Sequence, residues 1–250
     1  MKHLFDYYGI LFFSLFIILL SLFFIFHFRS FKYFVDLLFS VKNKSEYNLF
    51  FFSIIFIYFS IIYILSFCKT FIYNKSLLFY QNYQEKPLFD TLQSIIPFHK
   101  YSIYGSEIIL FLFILIISIL FYLKRNLSLL SHFIILLAFI QIFRSIIFSL
   151  TLLPDSSQNC TFGIFAGSCN DLLFSGHISA AFLILLYIHK YNLLPSYFYK
   201  ILIFLFILML VFIISSRNHY SIDILIAIIT TYFIYSIYFN KFEKYLNNLF

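Results

Sequence analysis

The chain has 250 residues, 63% of them hydrophobic, with a mean hydropathy of +0.97. Soluble domains average about 45–50% apolar residues, so composition excludes a water-soluble globular protein and leaves one integral membrane domain with room for six or seven spans. Seventeen basic against ten acidic residues give a formal charge of +7. No basic stripe or binding motif accompanies that charge, which argues against nucleic acid as a partner.

Uninterrupted apolar runs predict transmembrane helices near residues 8–28, 49–67, 107–123, 132–153, 174–189, 198–215 and 220–239. Strands are excluded because open sheet edges cannot lie in hydrocarbon. The expected fold is therefore all-α, a polytopic bundle of transmembrane helices. The first run lacks a small-residue cleavage site and is followed by basic residues, so it is expected to be an anchor and not a signal peptide.

Loop charge predicts the orientation. One register places 29–48, 124–131, 190–197 and the C-terminus together, with Arg29, Lys32, Lys42, Lys44, Lys124, Arg125, Lys190, Lys241 and Lys244. The loop 154–173 has no Lys or Arg, only Asp155 and Asp171. The positive-inside rule then puts 154–173 and 216–219 on the same, non-cytosolic face.

Four segments carry polar groups into this apolar chain. Pro87-Leu88-Phe89-Asp90 lies between the second and third runs and reads by itself as a proline-marked loop. Arg144 lies inside an apolar run, about ten residues before Pro154. Burying it costs about 2.5–3.5 kcal/mol, which favours a polar cavity or an anion over snorkelling to the interface.

Ser175-Gly176-His177 opens the next run. Gly lets a backbone approach a ligand closely, Ser Oγ and helix-start N–H groups hold anions, and a His there can protonate a leaving oxygen. A plain Ser/Gly helix cap is the alternative. In Arg217-Asn218-His219-Tyr220-Ser221-Ile222-Asp223, His219 and Asp223 are four apart and share a helix face. That is the spacing of a histidine nucleophile with an orienting carboxylate, and Arg217 is placed to bind phosphate oxygens bidentately. An interfacial cluster capping a helix is the bland reading. Cys160 and Cys169 share one loop, either as a disulfide or as two free thiols.

Taken in order, these segments resemble the sphingomyelin synthase family, a branch of the lipid phosphate phosphatase (PAP2) superfamily. Pro87-Leu88-Phe89-Asp90 is similar to its Pro-Leu-Pro-Asp segment, with Phe89 replacing a Pro. Arg144 with Thr151-Leu152-Leu153-Pro154 matches its Arg and Thr-x-Leu-Pro element. Cys169-Asn170-Asp171 with Ser175-Gly176-His177 matches Cys-Gly-Asp-x-x-x-Ser-Gly-His, with Asn170 replacing a Gly. His219-Tyr220-Ser221-Ile222-Asp223 matches His-Tyr-x-x-Asp. The likeness covers about residues 49–239. In typical lipid phosphatases the motif Arg stands six residues before the final His, whereas Arg217 stands two before His219, which favours the transferase branch.

The resemblance implies a six-helix PAP2-like core plus a probable extra N-terminal helix. The domains would be an anchor and basic cytosolic loop at 1–48, a catalytic domain at 49–240 and a cytosolic tail at 241–250. It implies transfer of a phosphocholine, phosphoethanolamine or phosphoinositol headgroup from a glycerophospholipid to ceramide through a phosphohistidine, leaving diacylglycerol. Its catalytic residues would be His177, His219 and Asp223, with Arg144, Arg217, Ser175 and Gly176 on the substrate phosphate. Asp90, Cys169, Asp171 and Tyr220 are further family-motif positions. No cofactor or metal is implied, and the partners are membrane lipids. The site would open on the lumenal or exoplasmic face of the Golgi, endoplasmic reticulum or plasma membrane in a eukaryotic cell. A lipid phosphatase or phospholipase C-like hydrolase, and headgroup exchange onto diacylglycerol, are the competing expectations.

Overall fold

The computed structural model describes residues 44–67, 88–150, 153–154, 173–244 and 246. The run at 8–28, Pro87, Thr151, Leu152, Cys160, Cys169, Asn170 and Asp171 lie outside the described residues. Every regular element among the described residues is helical: α1 Lys44–Phe67, α2 Thr91–Ile95, α3 Ser102–Lys124, α4 Leu127–Leu150, α5 Gly176–Lys190, α6 Ser196–Ser215 and α7 Ser221–Ile237. A π-helical turn, Tyr238–Phe242, extends α7. Several helices begin before the apolar runs do, because polar first turns such as Lys44-Ser45-Glu46 are helical without being greasy.

The turns follow local chemistry. Arg125 takes a left-handed conformation (φ 46°) and its N–H bonds the Phe121 carbonyl at 3.0 Å, which stops α3. Asn126 then caps α4 by accepting from the Leu129 N–H at 2.9 Å. This start explains why the fourth helix lies closer to the basic end than the apolar run at 132–153 predicts.

Four stretches are long and apolar enough to cross a membrane: Ser102–Lys124, Leu127–Ile147, Ser196–Ser215 and Ser221–Phe242. These helices support a multi-pass membrane protein, as the composition requires. Of each stretch, 33–39% is buried inside the protein. The core lies where α3, α4, α5, α6 and α7 meet, around Phe113, Leu136, Ile178, Leu183, Met209 and Ala227. Gly105 brings α3 against α6: a Cβ there would stand 2.5 Å from the Phe212 ring. Outside this group, α1 packs on α4.

Hydrogen bonds define the two ends of the bundle. At one end Tyr187 Oη donates to the Leu129 carbonyl (2.6 Å), and Lys190 pairs with Glu243 (3.2 Å). Tyr191 Oη also donates to Glu243 (2.9 Å), which ties Glu243 to the end of α5. The other end gathers the loop before α2, the end of α4, the start of α5 and the α6–α7 turn. Fifteen residues of α5 rise only about 22 Å, less than the ~30 Å of hydrocarbon that a full span crosses.

Candidate active site

Asp223 is the hub. It occupies the third position of α7 and is fully buried. A buried carboxylate is costly unless hydrogen-bonded, and Asp223 has three donors. Its Oδ2 lies 3.2 Å from His219 Nδ1 and 2.9 Å from the Tyr220 N–H, while Oδ1 accepts from the Leu173 N–H at 2.9 Å. A carboxylate only accepts, so His219 carries its proton on Nδ1 and presents Nε2 as the lone-pair nitrogen. The His219 side chain is 14% exposed, enough for a reacting atom to reach it.

The same carboxylate organises the start of α5. Leu173 is left-handed (φ 76°), a conformation costing a leucine roughly 1–2 kcal/mol, and its bond to Asp223 helps hold it there. Ser175 N–H then meets the Asp223 carbonyl at 3.4 Å. Ser175 Oγ is buried, and no hydrogen bond engages it among the described residues. An orphaned buried hydroxyl at a helix start invites a polar ligand.

His177 lies in the first turn of α5, and its Nε2 is 3.0 Å from Glu107 Oε1 on α3. Their side chains are 33% and 53% exposed, so this pair faces the accessible side of the site. The Arg144 guanidinium from α4 lies on Gly176: a Cβ there would stand 3.2 Å from Cζ and Nη1. Arg144 thereby lies against the residue that precedes His177, and Asp223 ties the His219 turn to Leu173, just before that helix. The structure thus brings Arg144, Ser175, Gly176, His177, His219 and Asp223 together.

Other expected residues lie around this group. Arg217, left-handed at φ 60°, donates from Nη2 to the Ile96 carbonyl at 3.1 Å, beside the loop that follows α2. Tyr220 Oη accepts from the Leu88 N–H and donates to the Pro154 carbonyl, both at 3.0 Å. Asp90 caps α2 through the Gln93 N–H (3.0 Å) and accepts from the Ser221 N–H at 2.6 Å. Burial by itself would raise the Asp90 pKa, but the hydrogen bonds from Ser221 and Gln93 outweigh it and bring the group below its ordinary 3.8. Its stabilising contribution is therefore complete above 3.8 and lost as pH falls through the lower folded value.

Two residues were not anticipated. Glu107 had a legible signal, being a carboxylate at the head of an apolar run, where ionisable groups usually serve a purpose. Gln93, whose Nε2 donates to the His219 carbonyl at 3.1 Å, had none.

Residues 168–240 match the family profile described as PAP2 superfamily C-terminal. The match supports membership of the PAP2 superfamily. It also supports an enzyme of the lipid phosphatase or phosphotransferase type. The matched stretch contains Ser175, Gly176, His177, Arg217, His219 and Asp223, whereas Asp90, Glu107 and Arg144 join the site from outside it. No curated protein matches the chain.

Proposed function

We propose that the protein is a phospholipid headgroup transferase that passes a phosphorylated headgroup from a glycerophospholipid to ceramide. The observation that carries this reading is the arrangement of His219, fixed by Asp223, whose carboxylate also holds the start of the helix bearing His177, with the half-buried Arg144 lying on that same start. His219 Nε2 attacks the donor phosphorus, and the bond to the diacylglycerol oxygen breaks. His177 delivers a proton to that oxygen. The headgroup then resides on His219 as a phosphohistidine. The ceramide hydroxyl attacks the same phosphorus, gives its proton to His177, and the N–P bond breaks to restore His219.

Arg144 neutralises charge on the non-bridging oxygens, the main electrostatic task in phosphoryl transfer. Ser175 Oγ and the first N–H groups of α5 add donors, and Gly176 leaves room for the guanidinium. Arg217 adds positive charge at the same end of the bundle. Glu107 accepts a hydrogen bond from the protonated His177. In this reading the site faces lipid, which admits a lipid hydroxyl more readily than water and favours transfer over hydrolysis. In this reading residues 49–240 form the catalytic domain and the site faces the lumenal or exoplasmic side.

The test is lipid exchange in membranes lacking endogenous activity. Fluorescent ceramide is supplied with phosphatidylcholine, phosphatidylethanolamine or phosphatidylinositol, using wild type and His219→Ala. A phosphosphingolipid made only by wild type supports the transferase and names the donor. Release of phosphate or a soluble phosphoester without that product moves the protein to the hydrolases.

A further inference from the structure

The loop Pro87–Asp90 reads from sequence as a bare proline-marked loop, and the proposed chemistry leaves it without a task. Its described residues, with α2, grip the turn that carries His219. Leu88 N–H holds the Tyr220 hydroxyl at 3.0 Å, Gln93 Nε2 holds the His219 carbonyl at 3.1 Å, and Asp90 Oδ2 holds the Ser221 N–H at 2.6 Å. Three consecutive residues, beginning with the nucleophile itself, are thus tied to one short segment some 130 positions earlier in the chain.

The grip answers a mechanical need. Asp223 fixes the His219 ring at Nδ1 but does not touch the His219 backbone among the described contacts. The turn enters through Arg217 at φ 60°, a region that non-glycine residues avoid. Such a turn relaxes unless its surroundings over-determine it. Gln93 is 8% exposed and Asp90 spends one oxygen on α2 and the other on α7. The segment therefore couples a cap of its own helix to the start of the helix bearing Asp223.

We propose that Asp90 and Gln93 are positioning residues that hold the His219 backbone in register with Asp223, so that Nε2 meets the donor phosphorus in line. This inference rests on the reading of His219 as nucleophile. Neither residue touches the reacting atoms. Their removal misplaces the nucleophile, and a misplacement near 1 Å costs about 10²-fold in rate.

The experiment measures diacylglycerol formation by the full-length protein in vesicles of phosphatidylcholine, phosphatidylethanolamine and phosphatidylinositol, with and without fluorescent ceramide. Without ceramide, the initial burst counts the molecules able to form the intermediate, and its rate reports the first displacement. Gln93→Met keeps length and loses the donor; we expect a kcat about 10–100-fold lower, KM within about twofold, and a slower burst of undiminished amplitude. Asp90→Asn keeps an acceptor for Ser221 and should retain clearly more rate than Asp90→Leu. Wild-type rates in Gln93→Met and Asp90→Leu overturn the proposal. So does a loss confined to burst amplitude, with the remaining molecules turning over normally, since that marks a folding role alone. Full activity in His219→Ala removes the underlying reading instead, and that outcome is distinct because it does not involve the α2 segment.

Discussion

Substituting Gly176 by Ala separates stability from catalysis. A Cβ at this position would meet Arg144 at 3.2 Å from Cζ and Nη1 and at 3.5 Å from Nε. Those separations are tight without being impossible, so the flexible guanidinium yields by a few tenths of an ångström. Gly176 is the first residue of α5, where no left-handed conformation is demanded. Replacing glycine by alanine at such a position stabilises by about 0.4–1 kcal/mol through the unfolded chain. The rate should move the other way. If 1 Å of misplacement costs about 10²-fold, a few tenths cost roughly 3–10-fold, or about 0.7–1.4 kcal/mol of transition-state stabilisation. The assay pairs ceramide-dependent product formation with a thermal melt of the purified protein. Turnover should fall 3–10-fold while the melting temperature holds or rises. Unchanged turnover would refute the placement of the substrate phosphate against Arg144. A fall in melting temperature would refute the packing argument.

Asp223→Asn should lower turnover by about 10³–10⁴-fold, because the amide no longer fixes the His219 tautomer, while lipid binding in a vesicle-flotation assay changes far less. Equal weakening of both would assign Asp223 a structural role. Glu107→Gln keeps a hydrogen-bonding side chain but removes the charge facing His177; kcat should drop about 10–100-fold, part of the 10²–10⁴ typical of general acid–base catalysis. Rates within twofold of wild type would remove Glu107 from the proton path. Activity should survive EDTA, since the residues assigned to charge neutralisation are cationic side chains; loss on chelation with recovery by Mg²⁺ would contradict this.

Much of the architecture was readable because lipid imposes it. A backbone in hydrocarbon must satisfy its own polar groups, so long apolar runs have one outcome. Their polar flanks were less readable: Lys44-Ser45-Glu46 is helical without being apolar, and Asn126 starts α4 by accepting the Leu129 N–H. Within the site, the His219–Asp223 pair follows from spacing along one helix, because residues four apart meet. The reach of Asp223 to Leu173 and of His177 to Glu107 joins positions 50 and 70 residues apart, which no local pattern encodes. The bond from Arg217 Nη2 to the Ile96 carbonyl spans 121 positions and is equally invisible to a local pattern.

The two histidine-bearing segments are fastened to one another at both ends. Near the site, Leu173 and Ser175 bond to Asp223; at the far end Tyr235 reaches the Leu186 carbonyl (3.4 Å) and Lys190 meets Glu243 (3.2 Å). α5 and α7 therefore behave as a two-pronged fork of fixed gauge, while Glu107 and Arg144 approach from α3 and α4. The helix that begins at Gly176 and the helix that bears Asp223 are thus joined to each other by folding itself, before any ligand arrives.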